Sequence, residues 1–173
     1  SLQEFTPLFK DEADWLLSSQ DGMVWFAANN RIYRYQPNIG KWTEINIHRS
    51  PDASVSSMAP GRHGDIWVGW SNGMLTQIRD TIAIQTIPTQ FGTPYRIVDD
   101  GNGLLWIHTR THIFTVSVSP PWRSRLIPYE KEPGAPADVT PPMVLDHEGN
   151  VWLGTWSGGL HKFSDRNLYR IPL

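Results

Sequence analysis

The chain has 173 residues, 39% of them apolar, and its 15 basic side chains nearly balance its 17 acidic ones, so no nucleic-acid or anionic-membrane footprint is present. It contains no cysteine, which excludes disulfides, thiolate nucleophiles and Cys-based zinc sites and leaves the redox compartment open. No run of about 18 apolar residues occurs and SLQEFTPLFK at the start has no basic stretch leading into an apolar one, so no direct membrane insertion is expected of this segment.

Taken in chain order, EFTPLF (4–9) reads as the outer strand of a preceding unit. Then come an extended segment WLLSSQ (15–20), a turn and second strand DGMVWFAA (21–28), a third strand RIYRYQ (31–36) and a fourth KWTEINI (41–47). The same order returns as SVSSMA (54–59), HGDIWVGW (63–70), MLTQIR (74–79) and IAIQTI (82–87). A third round runs YRIVDD (95–100), NGLLWIHT (102–109), HIFTVSV (112–118) and WRSRLIPY (122–129). After the proline-rich stretch YEKEPGAPADVTPP (129–142), which predicts a loop between units, a fourth round runs PMVLDH (142–147), EGNVWLGT (148–155), GLHKFS (159–164) and LYRIPL (168–173).

The repeat is anchored by Trp25, Trp67, Trp106 and Trp152, spaced 42, 39 and 46 residues apart, each with a glycine three residues earlier at Gly22, Gly64, Gly103 and Gly149. Those glycines fall where a tight hairpin turn needs positive φ. No segment holds a helical apolar period, so the chain reads as all-β. Four-stranded units of this length match the blades of a β-propeller: about four blades, at 11–48, 53–88, 94–129 and 141–173, forming one domain that is part of a larger ring. Each repeat tryptophan is expected to face the next blade, and Gly69 and Gly154 to let backbones approach closely.

The run Asp146, Gly149, Trp152, Gly154, Thr155, Gly158, Gly159, Leu160 and Phe163 resembles the two-component regulator propeller repeat. The second unit carries the pattern in part (Gly64, Trp67, Gly69, Gly73, Leu75, Ile78), while the first and third have Ala27 and His108 at the second-glycine position. The resemblance implies the sensor ectodomain of a membrane-bound two-component protein, periplasmic or extracellular, that perceives a ligand. No kinase or response-regulator motif is present in the sequence.

Propellers bind at one end of the ring, where the loops from strand two to strand three and from strand four to the next strand one converge. The varying residues of the first set are Asn29, Asn30 and Arg31; Trp70, Ser71 and Asn72; Arg110, Thr111 and His112; Trp156 and Ser157. Aromatic rings beside Arg, Asn and Ser suit a small polar or carbohydrate-like ligand, so Arg31, Trp70, Asn72, Arg110, His112, Trp156 and Ser157 are the candidate binding residues. The competing reading is that the tryptophans cover blade edges and the polar residues are solvated turns.

No metal or cofactor is expected. His108 and His112 are separated by a turn, His63 and His147 read as exposed turn residues, and the acidic turns at 99–103 and 146–150 lack the spacing of a calcium loop. The leading expectation is a non-enzymatic sensing or recognition propeller. A propeller lyase or hydrolase and a protein-binding structural module are the alternatives. A homodimer or neighbouring blades of a longer chain are the partners the open ring implies.

Overall fold

The structure, a computed structural model, describes residues 14–47, 52–127, 142–155, 159–164 and 167–171. The expected outer strand at 4–9, Trp156, Ser157 and most of the proline-rich stretch lie outside the described residues. The first blade consists of β1 (Trp15–Ser18), β2 (Val24–Ala28), β3 (Arg31–Gln36) and β4 (Lys41–Ile45). The second has β5 (Val55–Pro60), β6 (Ile66–Trp70), β7 (Met74–Arg79) and β8 (Ile82–Pro88), and the third β9 (Arg96–Asp99), β10 (Leu104–His108), β11 (Ile113–Ser117) and β12 (Ser124–Ile127). The fourth is β13 (Met143–Leu145), β14 (Val151–Gly154), β15 (Leu160–Ser164) and β16 (Asn167–Ile171). Each forms a four-stranded antiparallel sheet whose strands pair in sequence order, as the repeat predicts. The described residues hold no α-helix, only one 3-10 turn at Arg62–Gly64.

Consecutive pairing follows from the hairpins. In the last blade Gly149 N–H donates to the Asp146 carbonyl and Asp146 N–H to the Asn150 carbonyl, a turn that closes with Gly149 at φ +86°. Gly22, Gly64 and Gly103 adopt the same left-handed region at +79°, +82° and +95°, so the repeated glycine is a backbone requirement in all four hairpins.

Packing between blades follows from the two-residue side-chain period of each strand. In β2, Trp25 and Ala27 point to the second blade, joining Ile32 and Ile45 against Met58, Ile66, Val68, Trp70 and Ile78. In the next interface Trp67, Leu75 and Ile87 meet Ile97, Leu105, Ile107, Phe114 and Val116. In the third, Trp106, Ile113 and Ile127 meet Met143, Val151, Leu153 and Phe163. Trp25, Trp67 and Trp106 are 0%, 0% and 4% exposed, each filling the seam to the blade that follows. Trp152 stands at the same repeat position on the opposite face from Val151 and Leu153, and it is only half-buried. This differs from the expectation of a core residue, because no following sheet is present among the described residues to close on it.

Gly69 shows why the seam needs a residue without a side chain. A Cβ there would lie on Ser57 Oγ and 2.7 Å from Pro94 Cγ, while Ser57 Oγ donates a 2.6 Å hydrogen bond to the Pro94 carbonyl. The second and third blades are thus held at backbone distance.

Candidate functional site

The first strands of successive blades lie side by side, β1 by β5, β5 by β9 and β9 by β13, which makes them the inner wall around a central axis. Because β2, β6, β10 and β14 run back antiparallel, the hairpins carrying the repeated glycines collect at one end of the axis. The turns from second to third strands, and the entries to the first strands, collect at the other. We call these the hairpin end and the loop end.

At the hairpin end the repeated residues are occupied in holding the scaffold. Asp146 Oδ1 accepts from the Glu148 and Asn150 backbone N–H groups at 2.9 and 2.8 Å, and its Oδ2 accepts the Trp152 indole N–H at 2.7 Å. The indole and the Asn150 side chain hold this carboxyl well below the usual carboxylate range. In the last blade the Asp-x-x-Gly-x-x-Trp pattern is therefore one local device, a carboxylate that caps its turn and anchors the tryptophan six residues on. In the third blade Asp100 caps its turn through the Asn102 and Leu104 N–H groups, but the buried Trp106 indole N–H is left without a hydrogen-bond partner among the described residues. Ser19 serves Trp25 as Asp146 serves Trp152, at 3.0 Å. In the second blade Gly61 occupies that position, and the Trp67 N–H turns instead to Asp99 of the third blade at 3.2 Å.

A cavity of about 600 Å³ lies on the axis at the hairpin end, walled by all four first strands, with Gln20, Arg62 and Asp99 among mainly apolar neighbours such as Ala59, Ile97, Met143 and Leu145. Its two charges face each other, Arg62 Nε to Asp99 Oδ1 at 3.9 Å, and Asp99 also accepts from Gly101 N–H at 2.9 Å.

The described candidate residues all stand at the loop end, but not in one cluster. Arg31 and Trp70 line the same cleft of about 220 Å³ between the first two blades, with Asn30, Glu44 and Asn46. Arg31 pairs there with Glu44 of β4 at 3.3 Å, a carboxylate that the loop sequences do not contain. Trp70 is 3% exposed and donates its indole N–H to Thr76 Oγ1 at 2.9 Å. It belongs to the core between the blades and is not the open stacking platform expected, because every residue of β6 is buried between two sheets. Asn72 Oδ1 caps its own turn, accepting from Met74 N–H at 3.3 Å. Asn30 and Ser71 are inter-blade ties: Asn30 bonds both the Ala53 carbonyl and Val55 N–H, and Ser71 Oγ accepts from Ser54 N–H.

A second group gathers around Tyr95. The Arg110 guanidinium lies 5.3 Å from the centre of the Tyr95 ring, and His112 sits 6.0 Å from the Phe91 ring with Nδ1 2.7 Å from Thr111 Oγ1. Arg96, the first residue of β9, donates to the Tyr95 carbonyl at 3.0 Å and reaches to 5.8 Å from the Trp15 ring of β1 in the first blade. Tyr95, Arg96 and Trp15 are not among the residues that the sequence singles out. Trp15 and Arg96 begin first strands and Tyr95 immediately precedes one, so the signal for them is position at the entries to the inner wall, not composition. Among the described residues no group of three or more His, Asp or Glu side chains could hold a metal ion, and no helix is long and apolar enough to cross a membrane.

No family model matches the sequence, and no curated protein does. Solved structures do. A streptogramin B lyase superposes with a TM-score of 0.74 at 21% identity, over 99% of this chain and 58% of that one. Virginiamycin B lyase from Staphylococcus aureus superposes at 0.67 and 20% identity, over 96% of this chain and again 58% of the other. The extracellular domain of a hybrid two-component system from B. thetaiotaomicron superposes at 0.66 and 19% identity, over 99% of this chain and 23% of that domain. This chain thus spans little more than half the length of the lyases and about a quarter of the sensor domain. Four sheets radiating from an axis, shared with lyases and extracellular sensor domains alike, make the fold a β-propeller.

Proposed function

We propose that this chain is the recognition part of a non-enzymatic, extracytoplasmic sensor, and that a small polar ligand binds at the loop end of its axis. One observation carries the reading: the repeated polar residues at the hairpin end are tied into the scaffold, whereas Arg110 at the loop end is exposed, rests on Tyr95 and has no carboxylate partner among the described residues. Scaffold is what every blade repeats, and an asymmetric ligand needs what differs between blades. The likeness to extracellular domains of two-component systems agrees with this reading and with a location outside the cytoplasm. Neighbouring blades or a second copy of the chain complete the ring.

The test is a thermal-shift screen against small polar molecules, followed by Arg110→Ala and Arg62→Ala. A hit should lose affinity on Arg110→Ala with the melting temperature of the free protein unchanged. Affinity that ignores Arg110 and follows Arg62 would put the site in the cavity at the hairpin end and refute the assignment. The likeness to streptogramin B lyase supports a second reading, a lyase, which the same screen separates by following each hit for turnover.

A further inference from the structure

The arginines whose side chains are described divide into two kinds. Arg31, Arg34, Arg62 and Arg79 each meet a carboxylate, at 3.3, 3.5, 3.9 and 2.7 Å from Glu44, Asp80, Asp99 and Asp65. Arg96, Arg110, Arg123 and Arg125 meet none among the described residues, and of these Arg96 and Arg110 are held against aromatic rings. Arg96 is half-buried, lies against the Trp15 ring and uses one donor on the Tyr95 carbonyl, leaving most of its five N–H donors unspent. Arg110 lies on the ring of that same Tyr95. Two fixed cations built on one residue, beside aromatic faces and without a counter-charge, form a receptor for an anion: stacking pre-orders each guanidinium and leaves its donor edge free.

We infer that the loop end takes a ligand bearing a carboxylate, recognised by Arg96 and Arg110 beside Trp15 and Tyr95. This deepens the reading above and rests on it. A planar carboxylate matches the guanidinium fork in a way a neutral hydroxyl does not. Arg96, at the entry to the inner wall, is the primary contact. Arg110, at the rim, adds field and a second donor edge.

The experiment uses paired probes, glucuronate against glucose and benzoate against benzamide, titrated at millimolar concentrations with binding read by tryptophan fluorescence and calorimetry. At least one carboxylate should bind while its neutral counterpart does not. Arg96→Gln and Arg110→Gln should each weaken it about tenfold or more, as expected for loss of a charge-assisted bond. Arg123→Gln, on the exposed rim of the third blade, should leave it unchanged. Arg96→Lys, which keeps charge and stem but loses the fork, should recover only part of the affinity and controls for folding, checked by circular dichroism. Equal binding of acid and neutral partner, lost on Arg110→Gln, overturns the carboxylate inference and leaves recognition at the loop end standing. Carboxylate binding that survives both glutamine variants but fails in Arg62→Gln overturns both. Absence of any carboxylate response overturns the inference.

Discussion

Trp67 and Trp152 occupy one repeat position in two environments, and alanine at each should separate packing from sequence pattern. Trp67 is fully buried, and an indole buries about 200 Å², worth about 5 kcal/mol at about 25 cal/mol per Å². Truncation also leaves a cavity between two sheets and takes one donor from Asp99, so Trp67→Ala should cost about 3 to 5 kcal/mol. Trp152 is half-buried and keeps one face open, so about half the transfer term is at stake and Trp152→Ala should cost about 2 kcal/mol. Urea unfolding at pH 7, followed by far-ultraviolet circular dichroism, measures both. With a slope of about 2 kcal/mol per molar urea, the Trp67 variant should unfold about 1 M earlier than the Trp152 variant. Equal losses at the two positions, or a Trp67→Ala cost under about 1 kcal/mol, would refute the packing of the repeat tryptophans as seals between blades.

Gly69→Ala should destabilise by about 2 to 4 kcal/mol, because the new methyl displaces Pro94 and breaks the Ser57 hydrogen bond; a melting temperature within a degree of wild type would show that the seam relaxes freely. Asp146 has its folded-state pKa lowered by the Trp152 and Asn150 hydrogen bonds, so its contribution is complete above the unfolded carboxylate value of about 4 and is lost as pH falls through the folded value. The urea midpoints of wild type and Asp146→Asn should therefore differ most near neutrality and converge as the pH is lowered below about 4, and a gap that widens on acidification would contradict this. Val144, 58% exposed on the face of the last blade that carries Trp152, should make the isolated chain self-associate. Sedimentation velocity should show concentration-dependent association that Val144→Lys reduces, whereas a compact monomer at every concentration would argue for a sealed four-bladed ring.

What the sequence determined by itself is the blade, since a blade is a chain of hairpins whose pairing partners are neighbours in sequence. Glycine at the left-handed turn position and tryptophan three residues on are conditions that the backbone and the seam impose locally, so they are legible wherever they recur. Even the Asp146 carboxylate, which caps its own turn and holds Trp152, acts within one hairpin. What lies between blades is decided by the tertiary structure. Trp70 reads as an exposed loop aromatic beside Ser71 and Asn72, yet the first blade closes over it and its N–H is donated to Thr76 of its own blade. Arg31 finds Glu44 only because β4 returns beside β3. Arg96 reaches Trp15 only because the first strands of the first and third blades curve around a common axis. Strand period and turn chemistry act over a few residues, while the angle at which one twisted sheet packs on the next sets which distant side chains meet at the axis, and that angle is written in the packed seams and not in any one repeat.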